Sequence, residues 1–159
     1  MRRSLPALFT TSLAVLVSVA LAHAAATTYN GTLTGSQTAS AESGTVALNL
    51  NASGDLPGIL NISLRHEGGN VNGGAFTLTV LPQNADASSS ARGRLTGTVT
   101  GGTLTLDANG IVSAAGAVTL AVQSGTDEYA GVTGGSGTLS LSADPENSTK
   151  LGGPFALDF

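Results

Sequence analysis

Cysteine and tryptophan are both absent from this sequence, methionine occurs once, and charged residues make up 10% of the chain. Without thiols there is no disulfide framework, no cysteine nucleophile, no Cys-rich zinc site and no iron–sulfur cluster, so stability has to come from burial and hydrogen bonding. Cations are scarce as well. Once Arg2 and Arg3 are set aside with the leader they begin, Arg65, Arg92, Arg94 and Lys150 face ten acidic residues, a net charge of −6. That balance offers no basic stripe to displace the counterions of a nucleic acid. Nor does it offer a polybasic anchor for an anionic membrane surface.

The chain begins with Arg2 and Arg3, an apolar run from Leu13 to Leu21, and Ala22-His23-Ala24. A charged start, a short apolar stretch and an A-x-A site make a secretory signal peptide over residues 1–24. The run is too short, and too interrupted by Thr and Ser, to cross a bilayer, where roughly 20 apolar residues are needed. Residues 25–159 then form a single domain. The expected location is outside the cytoplasm of a bacterium, in the periplasm or the medium.

What is abundant is alternation. Val46, Leu48 and Leu50 share one face of a strand while Thr45, Ala47 and Asn49 share the other. The same phase recurs at Tyr29-Gly31-Leu33, Leu60-Ile62-Leu64, Phe76-Leu78-Val80, Leu95 and Val99, Leu104-Leu106, Val118-Leu120-Val122, Leu139-Leu141 and Phe155-Leu157-Phe159. Nine short runs with one apolar face each predict an all-β fold. Gly101-Gly102 and Asn109-Gly110 read as tight hairpin turns between them, because both pairs tolerate the positive φ angles of primed turns. Polar connections are expected over residues 36–43, 83–90 and 143–150. Meander connectivity is the simplest arrangement, closing as an antiparallel barrel of about eight strands, with a β-sandwich as the alternative. Thr77/Thr79, Thr96/Thr98 and Thr103/Thr105 fall on the polar faces, where threonine suits a pleated surface.

The stretch "SGTDEYAGVTGGSGTLSL", followed by "GGPFALDF", resembles the last quarter of the allene oxide cyclase and dirigent barrels. Gly125, Tyr129, Gly131 and Gly134 match those families' glycine-rich corner, and Pro154 and Phe155 their closing strand; Asp127 and Glu128 depart from the pattern. The resemblance implies an eight-stranded barrel in which Gly125, Gly131 and Gly134 form a structural corner and the aromatic plugs one end of the interior. No catalytic side chain of those families maps onto this chain. A second stretch, residues 33–58, resembles the opening hairpin of the chordin-type repeat without its His-x-His signature.

Residues able to carry chemistry are few. His66, the one histidine beyond the leader, continues the apolar phase of Leu60, Ile62 and Leu64 and could serve as a base or ligand hook at a barrel mouth. Tyr129 is the other polar group expected near a ligand. No G-x-S-x-G elbow is present, Ser136 lacks a following helix, and the glycines of "GVTGGSG" precede a strand rather than the helix that cradles phosphate. The turns "NASGD", "DANG" and "ADPEN" lack the spacing of a calcium loop and read as polar turns. No metal and no cofactor are expected. The expectation is an exported soluble barrel with a non-catalytic binding or structural role, holding a small apolar ligand in its interior. The alternative is a cyclase- or isomerase-like enzyme using His66 or Tyr129. A further alternative is a small outer-membrane barrel, suggested by the Phe155-Leu157-Phe159 ending but short of the aromatic girdles such barrels carry and with its last strand expected to be interrupted at Pro154.

Overall fold

A strand whose alternate residues are apolar can bury one face only, and eight such strands do so here by curling into a ring. The computed structural model describes residues 26–38, 44–84, 90–147 and 149–159. The leader expected over residues 1–24 and parts of the expected loops lie outside the described residues. The strands are β1 (Thr28–Thr38), β2 (Thr45–Gly54), β3 (Gly58–Glu67), β4 (Asn70–Val80), β5 (Gly93–Leu106), β6 (Val112–Gly125), β7 (Gly135–Ala143) and β8 (Lys150–Asp158), with a 3-10 turn at Asp127–Tyr129. Each pairs antiparallel with the next, and β1 pairs with β8 to close the barrel. The barrel, not the sandwich, is the architecture.

The inward phase is the one the alternation predicts. Leu50, Leu64, Val80 and Leu95 are completely buried, and they join Leu33, Val46, Leu48, Ile62, Phe76, Leu78, Val118, Leu120, Leu139 and Leu157 in one apolar cluster. Among the described residues no polar or charged side chain is buried. Each fully buried Leu or Val stabilises the fold by about 1.5–3 kcal/mol relative to exposure. The outer face carries Thr, Ser and Asn, paired across strands: Thr32 with Ser53 at 2.7 Å, Thr96 with Ser124 at 2.9 Å, Thr100 with Thr119 at 2.9 Å and Asn49 with Asn61 at 2.7 Å. Such pairs each add about 0.2–1 kcal/mol. An apolar inside and a polar outside is the reverse of the pattern a lipid-facing barrel requires.

Two expectations are corrected. Gly101-Gly102 is not a hairpin turn: it lies inside β5, so the runs around Leu95 and Leu104 are one strand of 14 residues and the nine runs become eight strands. At Gly102 φ is 144°, the β5–β6 register shifts on both sides of Gly101, and a side chain at Gly102 would meet Val118 Cα at 2.8 Å. The pair is a bulge that bends the strand around the barrel, the other use of glycine in a sheet. Pro154 does not interrupt the last strand either. β8 runs through it in register with Thr32 of β1, while pairing with β7 skips from Phe155 to Gly152, so the residue without an N–H has no partner on β7. Asn109-Gly110 does turn the chain, with Gly110 at φ 76° and the Asp107 carboxylate accepting the N–H groups of Asn109 and Ile111. Ser36, Gln37 and Thr38, expected in a loop, extend β1.

Meander order sorts the connections into two sets. At one end, here the terminal end, the start of β1 and the end of β8 meet the β2–β3, β4–β5 and β6–β7 connections. The far end carries the β1–β2, β3–β4, β5–β6 and β7–β8 connections.

Candidate functional site

Closure of β1 on β8 brings the chain's last residue into position. Thr28 pairs with Asp158, and one step further Thr27 and Phe159 exchange both backbone bonds at 3.0 and 3.2 Å. Tyr29 and Phe159 therefore fall on the same inward face near the terminal mouth. Their rings stack with centroids 4.6 Å apart and planes 19° from parallel.

Tyr129 reaches the same place from another direction. The β6–β7 connection folds back on the start of β5: Thr126 N–H bonds Arg94 O at 2.9 Å, Glu128 N–H bonds Arg92 O at 3.2 Å, and Tyr129 N–H closes the 3-10 turn on Thr126 O at 2.9 Å. The Tyr129 ring is thereby buried, with its centroid 6.3 Å from that of Phe159 and its plane at 84° to it. Two glycines make room. A Cβ on Gly125 would collide with Tyr129 O, and one on Gly93 would lie 2.9 Å from Tyr129 Cδ2. Burial pushes the Tyr129 phenol above the ordinary tyrosine range; nearby Arg92 opposes this, and Glu128 and Tyr29 add to it.

These three rings border an open cleft of about 540 Å³, whose rim includes Asp55, Arg92 and Glu128 and whose side is the Gly131–Gly134 segment. Arg92 Nε donates to Glu128 Oε2 at 2.8 Å, and Nη2 forms an ion pair with the same oxygen at 2.7 Å. The pair is solvent-exposed, and its main effect is to tie the 3-10 turn to β5. Glu128 also holds the Arg92 guanidinium above its ordinary pKa. Asp55 accepts the Asn30 N–H at 2.8 Å, fixing the β2–β3 turn against β1, and Leu56 beside it is buried in the core.

The sequence-derived site residues separate. Tyr129 lies in this cleft. His66 lies at the far end, opposite a bulge at Asn72 in β4, where its backbone N–H bonds Gly44 O at 2.8 Å and its Nδ1–H donates to Gly68 O at 3.1 Å. The two share no cavity. Gly125 ends β6 and Gly131 and Gly134 follow on the β6–β7 connection, but a Cβ at Gly131 or Gly134 would meet nothing within 4 Å, so the steric demand for glycine falls on Gly125. Sequence pattern alone does not mark Tyr29, Asp55, Arg92, Glu128 and Phe159 as a site. Their one signal is that Tyr29 and Phe159, two of very few aromatics, stand at the two ends of the strand region.

No family model, no curated protein and no solved structure matches this chain.

Proposed function

We propose that the protein is an exported, soluble, non-catalytic binding barrel whose ligand occupies the terminal mouth instead of the interior. The observation that carries this is the pairing of an aromatic cleft of about 540 Å³ with a barrel lined behind it by Leu, Val and Phe. Apolar walls with a few placed polar groups are the usual composition of a small-molecule site. The ligand is small and presents an apolar face to Tyr29, Tyr129 and Phe159. Kinship with the allene oxide cyclase and dirigent barrels belongs to the same proposal, supported by the eight-stranded closure and by Tyr129 at the corner. The enzyme alternative loses support because His66 and Tyr129 stand at opposite ends, leaving no pair of groups to share proton transfer. The outer-membrane alternative loses support from the polar outer face.

The test is native mass spectrometry of the protein purified from its own exported fraction, beside the Phe159→Ala and His66→Ala variants, with N-terminal sequencing. The expected result is a bound small mass that His66→Ala keeps and Phe159→Ala loses, on a chain beginning near residue 25. Bare protein throughout, together with no saturable response to benzyl alcohol, would favour a purely structural role. A retained leader would overturn export.

A further inference from the structure

The terminal mouth also has a charge signature, which selects a ligand only if the mouth is the binding site proposed above. Two ring planes near a right angle, Tyr129 against Phe159 at 84°, border one cleft, with Tyr29 stacked on Phe159. Rings set at an angle let one positive group meet more than one π face at once. The rim carries two carboxylates, Asp55 and Glu128, and one guanidinium, Arg92. The Arg92 charge is taken up by Glu128 through one hydrogen bond and an ion pair to the same oxygen. Asp55 bonds a backbone N–H and has no cation within ion-pair distance among the described residues. The side chains lining the mouth therefore keep an excess of one negative charge beside aromatic surface, on a chain of net charge −4.

We propose that the mouth takes an organic cation, an alkylated ammonium head group whose methyls lie against Tyr29, Tyr129 and Phe159 while its charge faces Asp55. An anion there would meet the unpaired carboxylate. A neutral ligand would fill the aromatic surface without using it. Because the interior behind the mouth is filled with Leu, Val and Phe, the head group lies at the surface with the rest of the ligand directed to solvent.

The sequence supplies its own probe. With no tryptophan and two tyrosines in the chain, both at this cleft, intrinsic tyrosine fluorescence reports on the mouth alone. The full barrel is titrated with choline, with its uncharged isostere 3,3-dimethylbutan-1-ol, and with benzyl alcohol. Choline is expected to give a saturable change about tenfold tighter than the isostere, the discrimination a cation over aromatic rings with a nearby carboxylate supplies. Asp55→Asn keeps an oxygen for the Asn30 N–H and should weaken choline several-fold while leaving the isostere unchanged. Arg92→Gln frees the Glu128 charge and should tighten choline. Equal binding of choline and isostere, choline unaffected by both substitutions, or a response to benzyl alcohol alone would overturn the cation assignment while leaving the mouth a binding site. No response to any of the three would overturn both readings.

Discussion

The side-chain amide of Gln37 spans the far end of the barrel to Val112: Oε1 accepts the Val112 N–H at 2.8 Å while Nε2 donates to Gly110 O at 3.2 Å. Gln37 is on β1 and Val112 opens β6, so the contact crosses the lumen rather than following the sheet. Val112 is completely buried, and without Gln37 its N–H would lose this partner. Gln37→Ala should cost about 1–3 kcal/mol, the penalty for an unsatisfied buried donor. Urea unfolding measures it; a loss below about 0.5 kcal/mol would assign Gln37 a surface role.

The corner glycines separate by what stands beside them. Gly125→Ala drives a methyl into the Tyr129 carbonyl and should cost about 1–3 kcal/mol or more, as overpacking does. Gly131→Ala meets open space and should change stability by no more than about 0.5 kcal/mol. Thermal denaturation of the two variants side by side gives the answer, and equal losses would refute the assignment of the steric demand to Gly125.

Tyr129 should titrate above the ordinary tyrosine range because its ring is buried. A raised folded-state pKa means that its contribution to stability is intact below the ordinary tyrosine value and is lost as pH rises from there through the raised value. Absorbance titration in the tyrosinate band should show a late step that Tyr129→Phe removes. Survival of that step in the variant would assign it elsewhere.

At the far end the pH dependence runs the other way. Hydrogen bonds from the backbone of Ile111, and then of Asn109, hold the Asp107 carboxyl below its ordinary range. A depressed folded-state pKa contributes stability that is fully present above the ordinary aspartate value and is lost as pH falls through the lowered one. Unfolding midpoints of the protein and of Asp107→Asn should therefore differ at neutral pH and converge in acid. A constant gap would show that the turn does not depend on that charge.

The barrel was largely legible because its interior and exterior differ in residue type at every step of the strands, and a period of two allows little else. Val46-Leu48-Leu50 and Phe76-Leu78-Val80 face inward as their spacing demands. Gly101-Gly102 misled because a primed turn and a bulge make the same demand on φ, and only pairing with β6 tells them apart. Pro154 misled for a related reason: a missing N–H breaks a ladder only where a ladder bond is due. The mouth was half legible. Tyr129 announced itself as a lone aromatic among glycines, whereas Tyr29 and Phe159 become neighbours through the β1–β8 register, and Asp55 and Arg92 through the ring's closure. None of that is local in the chain.

That closure is a seam of its own kind. Every other pair of neighbouring strands is joined by the chain, whereas β1 and β8 meet across nearly its whole strand region, Thr28 Oγ1 donating to Asp158 Oδ1 at 2.6 Å over a separation of 130 residues. It joins residues farthest apart in sequence, so it is expected to zip late in folding and to open first. Tyr29 belongs to one lip of the seam and Phe159 to the other. A molecule lodged against both rings would be a clasp: occupancy of the mouth should lengthen the lifetime of the closed ring, with the slowing of amide exchange greatest along β1 and β8.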